Sequence, residues 1–180
     1  MTTKRQTSII IIVVLHVVFF AVWFLHESGK LSSPEHVIKV QPLPVDPRDL
    51  ISGQYMRLDY EFGRAWKRYD TELQKAVYPD WLSEDVVNLR HGDVWVVMHE
   101  VNGLYEVKKT SLEKPNATAE GEVVIKGVKR RNAIKYGIER LYVPEGTLEP
   151  NRNDMIMELN VYENGMVRIK QAYVKGVMWP

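Results

Sequence analysis

Val94-Trp95-Val96-Val97-Met98-His99-Glu100-Val101-Asn102-Gly103-Leu104-Tyr105-Glu106-Val107-Lys108-Lys109 decides the fold. Both central residues of a type I′ turn need positive φ, which Asn tolerates and Gly adopts freely, so Asn102-Gly103 marks a two-residue hairpin turn. The flanking runs, Gly92–Val101 and Leu104–Lys109, are then its antiparallel strands. The same pair recurs at Asn164-Gly165, between Met155–Tyr162 and Met166–Val174, and predicts a second hairpin of the same kind.

Outward from these hairpins the patterning has a period of two. Val37–Val40 reads as a first strand, ended by Pro42 and Pro44. Over Tyr55–Phe62, Met56, Leu58, Tyr60 and Phe62 share one face, and Tyr55, Arg57, Asp59 and Glu61 the other. Glu122–Lys129 and Ile134–Val143 complete seven or eight strands, with no βαβ rhythm. One segment departs: Trp66, Tyr69, Leu73 and Val77 are spaced by three and four, which predicts an amphipathic helix over Arg64–Val77, closed by Pro79. The expected body is mainly β, an antiparallel two-sheet or distorted-barrel domain carrying one amphipathic helix.

The N-terminus is of another kind. Ile9–Leu25 is an apolar run of 17 residues broken only by His16, at the short end of the roughly 17 to 25 needed to cross a bilayer. Lys4 and Arg5 precede it and no basic residue follows before Lys30, so the basic end stays in the cytoplasm and the rest is exported. A cleaved signal peptide is the competing reading, but no small-x-small pair precedes His26-Glu27-Ser28. His16 is read as a neutral imidazole tolerated in a single helix. The expected order is a cytoplasmic N-terminus over 1–8, a transmembrane anchor over 9–26, a linker over 27–36 and an exported β domain over 37–180.

Composition excludes several classes of function. The chain has 24 Lys plus Arg against 23 Asp plus Glu; without Lys4 and Arg5 the exported part is near neutral, which leaves no footprint for nucleic acid. Cysteine is absent, so there is neither a disulfide, a thiol nucleophile nor a thiolate metal site. His36, His91 and His99 lack the spacing of a metal site, and the dispersed glycines form no phosphate-cradling loop, so no metal, cofactor or nucleotide is expected.

Candidate functional residues lie in two clusters. Asp46-Pro47-Arg48-Asp49-Leu50 leads into Gly53-Gln54-Tyr55-Met56-Arg57-Leu58-Asp59-Tyr60, and Tyr136-Gly137-Ile138-Glu139 precedes Val143-Pro144-Glu145-Gly146. Asp and Pro build tight turns, and an Arg can fork onto a carboxylate. These two blocks resemble those of the GDYXXLXY proteins, bacterial membrane-anchored proteins without an established activity. The resemblance runs over roughly Val37–Val174. It implies a domain on the outer face of the bacterial cytoplasmic membrane, periplasmic or extracellular, with a multi-pass membrane protein as partner. Gln54 stands where the family has Asp, which keeps a hydrogen-bonding role but supplies no charge.

The function expected is an extracytoplasmic accessory or binding module rather than an enzyme, acting with an integral membrane partner or an envelope ligand. Its recognition surface would comprise Asp46, Arg48, Asp49, Gly53, Gln54, Tyr55, Tyr60, Tyr136, Gly137, Glu139 and Glu145, Arg and Tyr being frequent binding anchors. The alternative is an envelope hydrolase pairing Asp46 or Asp49 with Glu139 or Glu145 as acid and base, or a Ser52–Lys peptidase. A third reading makes the domain a spacer, with the same residues bonded inward.

Overall fold

A computed structural model describes residues 2–28, 33–43, 55–70, 75–116, 119–144 and 150–179. The chain divides into two units, Met1–Ser33 and Pro34–Pro180.

The first unit is a single helix, α1 (Thr2–Ser28). Its large apolar side chains between Ile10 and Phe24 are all exposed, each by more than half. His16 donates from Nδ1 to the Ile12 carbonyl at 2.8 Å, a bond within the helix that meets the ring's polarity locally. Taken over the described residues alone, no helix is long and apolar enough to cross a membrane.

The second unit contains, in chain order, β1 (His36–Val40), β2 (Tyr55–Arg57), β3 (Arg68–Asp70), β4 (Lys75–Val77), α2 (Glu84–Asn88), β5 (His91–Val101), β6 (Leu104–Ser111), β7 (Glu122–Arg130), β8 (Ala133–Lys135), β9 (Arg140–Tyr142), β10 (Met155–Val161), β11 (Val167–Val174) and β12 (Val177–Trp179). Two four-stranded antiparallel sheets, ordered β1-β10-β11-β12 and β6-β5-β7-β8, curl around one core. Their inward faces follow the alternation: Met155, Met157, Leu159 and Val161 from β10 meet Val94, Val96 and Met98 from β5 and Val123 and Ile125 from β7. The body is therefore mainly β and antiparallel, as the patterning requires.

The two Asn-Gly pairs turn differently. Asn102 and Gly103 have φ of 53° and 82°, and Val101 pairs with Leu104, a primed two-residue turn. At the second site only Gly165 is left-handed, at φ 79°. The Gly165 N–H donates to the Tyr162 carbonyl and the Tyr162 N–H to that of Met166, a longer loop ended by a left-handed glycine. Asn164 contributes its side chain, Oδ1 accepting from the Met166 N–H at 3.0 Å. Docking explains the difference: the Gly165 carbonyl accepts the Lys126 N–H at 2.7 Å, and a Cβ on Gly165 would lie 2.6 Å from the Trp95 ring. Lys175-Gly176, with φ of 51° and 78°, is another primed turn, which adds β12.

Two further expectations need correction. The amphipathic helix over Arg64–Val77 does not form. The Ala65 N–H donates to the Asn132 carbonyl, Arg64 bridges to Ala133, and β3 pairs with β4 through Arg68↔Val77, Tyr69↔Ala76 and Asp70↔Lys75. Trp66, meant for the buried stripe, is 38% exposed. Pairing with a neighbouring strand captures the segment and overrides a stripe too sparse to hold a helix. Ile134–Val143 is likewise not one strand. It breaks into β8, paired with β7, and β9, paired with β2, because the chain kinks at Gly137, whose φ is 84°.

The short helix α2 was not legible as such. Its C-terminal carbonyls are met by a buried side chain: Lys129 Nζ donates to the Val87 and Leu89 carbonyls at 3.1 and 2.6 Å, satisfying groups that a helix end leaves open.

Gly127 lies on β7 just before the stretch that pairs with β8. A Cβ there would lie 2.5 Å from Ile134 Cγ2 and 2.7 Å from the Tyr136 ring. Gly127→Ala is therefore expected to cost about 1–3 kcal/mol, whereas Gly103→Asn, at an open left-handed position, costs under about 1 kcal/mol. Denaturant unfolding of the full chain in detergent, followed by tryptophan fluorescence, measures both; equal effects would refute the close contact.

Candidate functional site

The two motif blocks lie side by side. Tyr55, Met56 and Arg57 pair with Tyr142, Leu141 and Arg140. The Leu58 N–H donates to the Glu139 carbonyl at 2.8 Å, and the Arg64–Ala133 bridge and the Ala65–Asn132 bond continue in the same register. Segments 55–65 and 132–142 thus form one antiparallel seam, bent in the middle by a 3-10 turn over Glu61–Gly63 and by the kink at Gly137.

Side chains of the blocks close that bend. Tyr60 Oη donates to the Ile138 carbonyl at 3.3 Å, and Tyr136 Oη donates to the Phe62 carbonyl at 2.7 Å, each reaching across to the opposite segment. Tyr60 stacks on Phe62 with centroids 5.1 Å apart, and Phe62 meets Tyr136 edge-on at 5.0 Å. Both tyrosines are buried, at 1% and 8% exposure. Glu139 holds the kink: Oε1 accepts the Tyr136 N–H at 2.7 Å and Oε2 the Gly137 N–H at 3.1 Å. On the other segment Asp59 Oδ2 accepts from Arg64 Nε and Nη2 at 2.9 and 2.8 Å, while Oδ1 accepts the Tyr60 N–H.

Burial dictates the electrostatics. Removal from water pushes both tyrosine hydroxyls above their ordinary value, and the Glu139 carboxylate adds to the effect at both, Asp59 at Tyr60 alone. They are fixed donors at any physiological pH. The Glu139 oxygens are taken up by the amides of its own turn, an arrangement that builds a loop and does not offer an acid or base to a substrate.

Of the expected surface residues, Tyr60, Tyr136 and Glu139 face each other within this seam. Tyr55 is half-buried, with its ring 6.2 Å from that of Tyr142 and under the Arg140 guanidinium at 4.9 Å. Gly137 is at the exposed kink. Asp46, Arg48, Asp49, Gly53, Gln54 and Glu145 lie outside the described residues, as does Ser52. Among the described residues no three His, Asp or Glu side chains converge as metal ligands do.

Two larger concave regions lie beside the seam. One, of about 540 Å³, opens beside Pro42, Leu43, Phe62, Trp81, Tyr105 and Val107, with Glu61 and Glu106 on its border; Glu61 is ion-paired with Arg68. The other, of about 560 Å³, has Gly127 and Tyr136 in its wall and carries Lys126, Arg130, Lys135 and Arg168. Sequence reasoning missed these four cations because Lys126, Arg130 and Lys135 share a face only once β7 and β8 pair, and Arg168 comes from β11, far along the chain.

Fold and seam together define an antiparallel β domain whose motif residues brace one corner. The chain belongs to the GDYXXLXY family: residues 16–171 match the model described as GDYXXLXY protein. No curated protein and no solved structure matches it. The Leu and the final Tyr of the string that names the family are Leu58 and Tyr60, each 1% exposed.

Alkaline pH tests the buried hydroxyls. Above the ordinary tyrosine value of 10.0 the unfolded chain loses protons that the folded chain keeps, so stability falls as pH rises through that value. Tyr136→Phe leaves the Phe62 carbonyl without its donor and costs about 1–3 kcal/mol at neutral pH. The same variant flattens the alkaline decline, as read from denaturant midpoints across pH. An unchanged decline would contradict the assignment.

Proposed function

We propose that the protein is a membrane-tethered extracytoplasmic binding module: α1 anchors it in the bacterial cytoplasmic membrane, and the β body binds an envelope ligand or an integral membrane partner outside. The observation that carries the reading is the exposed apolar surface of α1. A helix that is apolar on every side needs a lipid environment, and the apolar sequence continues beyond the described side chains, from Ile9 to Leu25.

The body supports the binding half of the reading. Tyr60, Tyr136 and Glu139 are committed within the seam, so among the described residues the polar groups open to recognition include those lining the two concave regions and the exposed Tyr142, at 72%. The alternative, a hydrolase pairing Asp46 or Asp49 with Glu139 or Glu145, has only Glu139 among the described residues, and both oxygens of that carboxylate accept backbone amides.

Protease added to sealed spheroplasts is expected to degrade the body, and alkaline carbonate to leave the full chain in the membrane fraction. A body protected until the membrane is opened would reverse the topology. Release by carbonate would remove the anchor.

A further inference from the structure

We infer that the concave region beside Tyr136 is a site for a phosphate-type oxyanion, held by Arg130, Lys135 and Arg168. The inference deepens the binding-module reading and rests on it.

Strand geometry puts these cations together. On β7 the inward residues are Val123, Ile125, Gly127 and Lys129, so Lys126 and Arg130 share the outward face. Lys135 pairs with Val128 and stands on that same face. Across the gap the β10–β11 loop docks on β7 through the Gly165 carbonyl and the Lys126 N–H, which brings Arg168 to the opposite side. Gly127, with no side chain, and Tyr136 line the wall between them.

The charge balance there is lopsided. Lys126 has its counterion in Asp93, at 2.6 Å, and lies 5.5 Å over the Trp95 ring. Glu139, the other carboxylate, points both oxygens at the Tyr136 and Gly137 amides. Arg130 and Lys135 have no acidic partner among the described residues, and the Arg168 guanidinium rests 5.7 Å over the Tyr162 ring. Outside Lys4 and Arg5 the chain is close to neutral, so this is a local concentration of cations and not a reflection of composition. Two guanidinium forks and an ammonium around a concavity match an oxyanion that offers several acceptor oxygens.

Phosphate oxygens could come from a lipid headgroup or from a soluble ester, and the test separates them. The full chain is placed in nanodiscs of zwitterionic phosphatidylcholine, and amide shifts of Gly127, Gly137 and Arg168 are followed while glycerol phosphate is added. The same shifts are compared in discs containing phosphatidylglycerol. Saturable shifts with the soluble ester, or shifts only in the anionic discs, each support the site and identify its source. In either case Arg130→Gln with Lys135→Gln weakens the response at least about tenfold, while Lys39→Gln, on the other sheet, leaves it unchanged. Both substituted residues are exposed and have no acidic partner among the described residues, so folding is retained and the dispersion of the spectrum checks it. No shift with either source, or an equal response in the double variant, overturns the site. Because the chain is already in a disc, neither result depends on its topology in the cell.

Discussion

Two tyrosine hydroxyls, each donating to a carbonyl of the opposite segment, hold this β body at the corner where its strands change partners. β8 pairs with β7, yet its continuation β9 pairs with β2. A chain that bends between partners exposes peptide groups at the bend, and a buried peptide group without a partner costs about 1–3 kcal/mol. Tyr60 and Tyr136 reach the carbonyls of Ile138 and Phe62, while Glu139 takes two of the amides. The Tyr60–Phe62–Tyr136 ring contacts exclude water from those bonds, which makes them stronger and their loss more costly.

Much of the fold was legible because it rests on local chemistry. Alternation assigned Met56, Leu58, Tyr60 and Phe62 to one buried face, and all four are buried. Asn102-Gly103 fixed the β5–β6 turn. The failures share a cause: non-local contacts that no short window contains. Arg64 and Ala65 are taken by Asn132 and Ala133, which ends any helix there. Asn164-Gly165 is reshaped by Trp95 and Lys126. The kink at Gly137 depends on Glu139 folding back, a bond that the spacing allows but does not announce.

The same division applies to function. The motif blocks are a cluster of Asp, Glu, Arg and Tyr, residue types that serve equally in recognition and in bracing a bend. Burial separates the two roles, and the described residues Tyr60, Tyr136 and Glu139 are braces. What the seam makes available is next to it: Tyr136, fixed through its hydroxyl to Phe62, forms part of the wall of a cationic concavity whose residues come from β7, β8 and β11. On the proposed reading, the motif bears on binding by shaping a neighbouring surface.

Amide hydrogen exchange of the full chain in lipid nanodiscs tests the seam most directly. If the blocks brace the body, the Leu58 and Tyr136 amides, which donate to the Glu139 carbonyl and carboxylate, exchange only with global unfolding, as slowly as those in the middle of β5 and β7. Exchange at these two amides as fast as at the Asn102-Gly103 turn would mean that the blocks form an open surface loop, and the account would fail.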